Sequence, residues 1–164
     1  MRALICLLGA TTIALAALIL GRAYAGFVRR RISEYSALLG FLGLMKREIS
    51  CYLCTPEELA ERSTDDVLVE VGFLEALRTE KRLAVAFSQA LPRLHLSAAD
   101  SDLLLSFFEK FGKGSLETEL HSLELVTESF RARTQAEEES ASGAIRLART
   151  LITLAALGIV ILLL

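Results

Sequence analysis

The chain has 164 residues, 53% of them hydrophobic and 23% charged, with a formal net charge of −2 and no tryptophan. A near balance of charge argues against the basic excess that nucleic-acid binding needs. Of the 18 Lys+Arg, 17 lie between two uncharged ends, as do all 20 Asp+Glu, which leaves a central 22–149 stretch of net charge −3, long enough for one domain with a modest core.

The first element is the uncharged run Ala3–Leu20. As a helix it measures roughly 27 Å, about one bilayer core, so residues 1–21 read as an amino-terminal transmembrane segment. Arg22, Arg29, Arg30 and Arg31 follow it, and only Arg2 stands on the other side. The positive-inside rule then places the middle of the chain in the cytoplasm and both termini outside. A secretory signal peptide is the rival, because Ala23-Tyr24-Ala25 has the look of a cleavage site. Against it stand the length of the apolar run, the arginines that follow and the absence of any Asn to form a glycosylation site. The same arginines suit anionic lipid headgroups.

Ile32, Tyr35, Leu39, Leu42, Met45, Ile49 and Tyr52 recur at three- and four-residue steps. That is one stripe of a long helix continuing from the first span. Thr55-Pro56-Glu57-Glu58 is a helix start with the makings of a capping box, opening a second helix over about Pro56–Arg62. A third starts at Asp65 or Asp66 with Val67, Val71, Leu74 and Leu77 inward. A fourth covers about Glu80–Leu91, inward at Leu83, Phe87, Ala90 and Leu91, and Pro92 ends it. Ser97 caps a fifth, with Leu103, Leu104, Phe107, Phe108 and Phe111 on one side and Gly112 as its left-handed stop. Ser115 caps the last, whose stripe is Leu116, Leu120, Leu123, Thr127 and Phe130. Ser140–Ala144, with Gly143, is a place where this helix could bend. Residues 150–164 are uncharged again. At roughly 22 Å they form a short carboxy-terminal span, with Arg146 and Arg149 snorkelling toward headgroups. No strand-like alternation appears. The expected fold is all-α: an antiparallel bundle of about six helices with transmembrane helices at both ends.

No constellation argues for catalysis. Cys51 and Cys54 form a C-x-x-C, which can bind zinc or cycle as a redox pair, but there is no second cysteine pair and no βαβ setting. His95 falls in a loop. His121 beside Ser115, Ser122 and Glu119 allows a triad to be drawn, but a triad is a matter of geometry. Gly112-Lys113-Gly114-Ser115 lacks the spacing of a phosphate-cradling loop and reads as a helix–helix turn. No cofactor is expected. Glu57/Glu61 and Glu124/Glu128 stand one turn apart, a repulsive spacing that a basic partner could relieve.

The amino-terminal span, Leu42 … Met45-Lys46-Arg47-Glu48-Ile49 … Thr55-Pro56-Glu57-Glu58-Leu59, Leu105 … Phe111-Gly112-Lys113-Gly114-Ser115, the Leu/Glu-rich helix and the apolar tail together resemble the stage III sporulation protein AB family of endospore-forming bacteria. Members often carry Asp where Ser115 stands and Gln where Glu119 stands. The resemblance implies a cytoplasmic domain similar to the helical domains of platform protein F of type II secretion and type IV pilus machines. It implies a non-enzymatic part in a channel-like complex of the mother-cell membrane facing the forespore. The expected partners are a secretion-type ATPase, sporulation protein AA, and the other membrane proteins of the complex. Candidate docking carboxylates are Glu48, Glu57, Glu58 and Glu61 in one region and Glu117, Glu119, Glu124 and Glu128 in another. A general membrane-anchored adaptor or sensor, reading lipid through Arg29–Arg31, is the alternative, and a thiol redox protein at Cys51/Cys54 a more distant one.

Overall fold

A computed structural model describes the backbone of residues 2–51 and 55–163, and the side chains of 15, 16, 19, 21–49, 55–143, 146, 150 and 158. Among the described residues there are seven α-helices: α1 (Arg2–Cys51), α2 (Pro56–Arg62), α3 (Asp66–Glu70), α4 (Phe73–Glu80), α5 (Leu83–Ala90), α6 (Ala98–Lys110) and α7 (Leu116–Leu163). A 3₁₀ turn over Leu91–Arg93 follows α5. No strand occurs among the described residues. The all-α expectation therefore holds, with seven helices where about six were expected. Backbone contacts group the residues into two compact units, one of Arg30–Ala136, the other of the chain up to Arg29 with the chain from Glu137.

In the first unit the inner face of α1 is set by Tyr35, Leu38, Phe41, Leu42 and Met45, all buried. Of the expected stripe, Ile32, Leu39 and Ile49 are only half-buried, and Tyr52 lies outside the described residues. α2 begins as its sequence dictates. Glu58 N–H donates to Thr55 Oγ1 at 3.3 Å and Thr55 N–H to Glu58 Oε2 at 2.9 Å, a reciprocal capping box. Leu59 and Ala60 are its buried side, and Arg78 Nη2 on α4 donates to the Ala60 carbonyl at 3.2 Å. Asp65 caps α3 through the N–H of Val67, at 3.0 Å.

The single helix expected from Asp65 or Asp66 through Leu77 is two. Gly72 adopts φ +79°, the left-handed region, and redirects the chain between α3 and α4. Val71, Leu74 and Leu77 still point inward, joined by Leu68 and Phe73, whereas Val67 is half-buried. A β-carbon at Gly72 would be left-handed and 3.0 Å from Arg93 Nη1. Gly72→Ala is therefore expected to destabilise the full chain by about 1–2 kcal/mol, read as a lower midpoint in a denaturant melt followed by circular dichroism in detergent. An unchanged midpoint would remove this hinge from the account.

α4 ends at Lys81, itself left-handed at φ 55°, and Arg82 stands at the N-cap of α5 with no side-chain cap bond. This break is why α5 begins at Leu83 and not at Glu80. Leu83, Phe87 and Ala90 are buried as expected, and Leu91 is half-buried. Ser97 Oγ caps α6 through Asp100 N–H at 3.2 Å. Leu104, Phe107 and Phe108 reach the core. Phe73 sits at its centre, edge-on to Phe41 and Phe87 with ring centroids 5.0 and 6.3 Å away, and stacked on Phe108 at 6.4 Å. Gly112, at φ +84°, terminates α6 in the left-handed way its sequence predicts. α7 contributes Leu123, Thr127 and Phe130, while Leu120 is half-buried and Leu116 is exposed. The Thr127 hydroxyl donates to the Leu123 carbonyl at 2.7 Å, so its burial leaves no donor unsatisfied.

In the second unit α7 passes through Ser140–Ala144 without interruption of its helix. Leu15, Ile19, Tyr24 and Phe27 of α1 are exposed apolar side chains. Among the described residues no helix is long and apolar enough to cross a membrane. Most side chains of Ala3–Leu20 and Thr150–Leu164, on which both expected spans rest, lie outside the described residues.

Candidate functional site

Two constellations in the Arg30–Ala136 unit concentrate polar chemistry, separated along α1 by roughly 22 Å between Glu34 and Ile49. The first is a buried polar cluster. Glu34 has no exposed surface, yet it continues the apolar series Leu38, Phe41, Met45 of α1. Its carboxylate accepts from Arg30 Nε at 3.1 Å and from the His95 backbone N–H at 2.6 Å, with His95 Nδ1 at 2.9 Å. Arg30 also reaches Glu70 at 2.9 Å. Next to Glu34, Tyr35 stacks on Phe130 with centroids 5.2 Å apart. The Tyr35 hydroxyl donates to Asp100 Oδ2 at 2.5 Å, and the Ser97 hydroxyl donates to the same oxygen at 2.5 Å. Arg133 of α7 bonds the other Asp100 oxygen. Ser97 N–H donates back to the Tyr35 oxygen at 3.3 Å. Burial by itself opposes charge on Asp100, but the bonds from Ser97, Tyr35 and Arg133 outweigh it and hold the carboxyl below the usual carboxylate range. Burial, and then the Asp100 bond, push the Tyr35 phenol up. The cluster joins α1, the 3₁₀–α6 loop, α6 and α7. The oxygens of Glu34, Tyr35, Ser97 and Asp100 all have partners, as a fastening between helices requires.

The eight candidate docking carboxylates fare unequally. Glu48 pairs with Arg62. Glu57 pairs with Lys81 at 2.8 Å, which holds its carboxyl below the usual range. Glu58 closes the capping box. Glu119 accepts from the backbone N–H groups of Lys113 and Gly114 at 3.1 and 2.8 Å, fastening the α6–α7 turn. An amide oxygen could accept the same two bonds. Glu124 pairs with Lys46 at 2.8 Å, which lowers its pKa, and Glu128 with Arg131 at 3.0 Å. The cations that relieve Glu57/Glu61 and Glu124/Glu128 thus come from this chain itself. Glu61 and Glu117 are exposed and make no ion pair among the described residues.

Of the basic residues expected beside a membrane, Arg30 is bonded into the cluster and Arg31 lies over the Tyr35 ring, 5.8 Å from its centroid. Arg22, Arg29 and Arg146 are exposed, and the Arg149 side chain is outside the described residues. Cys54 and the Cys51 side chain are outside them too. Ser115 Oγ bonds Thr118 Oγ1 at 2.8 Å, Glu119 is taken by the turn, and His121 is exposed, so no triad geometry links them. No group of three or more His, Cys, Asp or Glu among the described residues is arranged to hold a metal ion.

The second constellation is a groove of about 640 Å³ at the α6–α7 turn. Ile49, Leu59, Leu83, Phe108, Phe111 and Leu116 supply its apolar wall, and Lys81, Arg82 and Lys113 are its cations. Sequence reasoning found the turn but not the groove, because its walls come from five separate helices.

A family model for stage III sporulation protein AB matches residues 6–164. The chain belongs to that family. The match assigns it to stage III of sporulation, as a component of that process and not a member of a known enzyme family. Neither curated proteins nor solved structures return a match. The matched range includes the α2 capping box at Thr55–Glu58 and the Gly112–Ser115 turn that Glu119 fastens.

Proposed function

We propose that the chain is a non-enzymatic membrane component of a secretion-like channel complex in the mother cell, coupling a cytoplasmic secretion-type ATPase, sporulation protein AA, to the membrane assembly. The observation that carries this reading is the family match over 6–164. Further support comes from uncharged sequence at both ends and from exposed Leu15, Ile19, Tyr24 and Phe27, side chains that a bilayer or a membrane partner would cover. The two ends anchor the chain in the membrane facing the forespore, with the bundle cytoplasmic and both termini outside. The bundle works as an adaptor: Glu48, Glu57, Glu124 and Glu128 pair with cations of the chain itself, and the buried polar cluster holds helices together.

Two measurements test the reading. Reporters fused at either terminus are expected to be active outside and silent inside, and external protease is expected to spare the bundle in intact cells. Affinity capture of the full chain in mild detergent is expected to retain the co-expressed ATPase. A bundle digested from outside, or a folded chain that retains no ATPase, would overturn it.

A further inference from the structure

Lys81 and Arg82 each break a local rule. The position after α4 is left-handed, where glycine is the ordinary residue, yet a lysine occupies it at φ 55°. The next position is the N-cap of α5, where Ser, Thr, Asp or Asn would bond the first turn, yet an arginine stands there without a cap bond. Neither choice favours the fold locally. Both put a cation on one groove, and Lys113 adds a third across the α6–α7 turn. Two carboxylates also line it, but Glu119 is bonded to backbone N–H groups, which leaves Glu109. Lys81 meets Glu57, while Arg82 and Lys113 are exposed and make no ion pair among the described residues. The wall beneath is apolar, and Leu116 is left 51% exposed on it. Lys81 gains the Glu57 pair, but Arg82 gives up a cap with no ion pair among the described residues in return, and a local rule broken in this way marks a position kept for another purpose.

We infer that this groove is where the ATPase docks, by an amphipathic segment that lays apolar side chains against Leu83, Phe111 and Leu116 and sets Asp or Glu side chains against Arg82, Lys113 and Lys81. This rests on the coupling role proposed above and names its contact. Charge complementarity selects the occupant. A purely apolar segment would leave Arg82 and Lys113 partly desolvated without partners, and a basic one would meet like charge. The mode is an amphipathic element in a groove, with few anchors and a charged rim.

The test is capture of the co-expressed ATPase by the full chain in detergent. The double variant Arg82→Glu/Lys113→Glu, and separately Leu116→Asp, should cut capture tenfold or more with the circular-dichroism melt unchanged, since all three side chains are exposed. Lys81→Gly should melt at or above the wild-type temperature, because it removes a left-handed lysine, and still capture less ATPase. Glu61→Lys/Glu117→Lys should capture as the wild type does. A photo-crosslinker at position 116 should join an ATPase segment that interleaves apolar and acidic residues. Wild-type capture by the groove variants, or a crosslink to a segment without acidic residues, overturns the groove and leaves the coupling role standing. A wild-type chain that captures no ATPase overturns both.

Discussion

Replacing Asp100 with alanine is expected to lower the stability of the full chain by about 3 kcal/mol, the lower end of what breaking a buried charge pair costs. The substitution takes the acceptor from three donors at once: the Tyr35 hydroxyl, the Ser97 hydroxyl and the Arg133 guanidinium. Tyr35 is fully buried and cannot turn to water, whereas the Arg133 side chain is 43% exposed and can rehydrate, which keeps the loss from being larger. The effect carries a pH signature. The Asp100 carboxyl titrates lower in the folded chain than in the unfolded one, so its contribution is complete above an unfolded value of about 3.9 and is lost as pH falls through the depressed folded value. Denaturant melts of wild type and Asp100→Ala should therefore differ most at neutral pH and converge below about pH 4. A gap that persists undiminished in acid would show that the carboxylate charge is not what the cluster uses.

The second large effect is expected at Phe73. Its ring is fully buried and meets Phe41, Phe87 and Phe108, so α1, α4, α5 and α6 all pack through it. Phe73→Ala is expected to cost about 3–5 kcal/mol, the transfer of a ring plus the cavity left behind. For a unit of this size that is a drop of roughly 10 °C or more in Tm. Phe73→Leu, which keeps much of the volume, should cost less than half as much. Equal melting of the alanine and leucine variants would mean that the four helices close over the gap and that the ring is not the keystone of the packing.

Much of the fold could be read from the chain because its signals are local. Thr55, Pro56 and Glu58 define α2 to the residue, since a capping box needs only neighbours in sequence. Ser97 and Gly112 bound α6 for the same reason. Gly72 misled because Val67, Val71, Leu74 and Leu77 keep a helical period across it, and a single left-handed residue between two helices barely disturbs that spacing. Lys81 could not be foreseen, as nothing about a lysine announces a left-handed backbone. The polar cluster was hidden for a different reason: its partners lie 61 and 65 residues apart. One trace of it was present, Glu34 at the head of the series Leu38, Phe41, Met45, a carboxylate where an apolar residue belongs. Glu48, Glu57 and Glu124 look like available surface in the sequence because the cations that pair with them, Arg62, Lys81 and Lys46, come from other elements.

The long reach from Glu34 and Tyr35 to His95 and Asp100 also sets a schedule for biosynthesis. At about 5–20 residues per second, roughly 3–13 s pass between translation of Tyr35 and translation of Asp100, and Arg133 comes later still. Throughout that interval the nascent first helix carries a carboxylate with only Arg30 for a partner and a phenol with no Asp100 to bond, while Pro56–Ala90, whose neighbours are close in sequence, is free to collapse. The Asp100 fastening is complete only once Arg133 has been made, so a nonsense codon before Arg133 should yield a product fit for degradation and not a smaller working version.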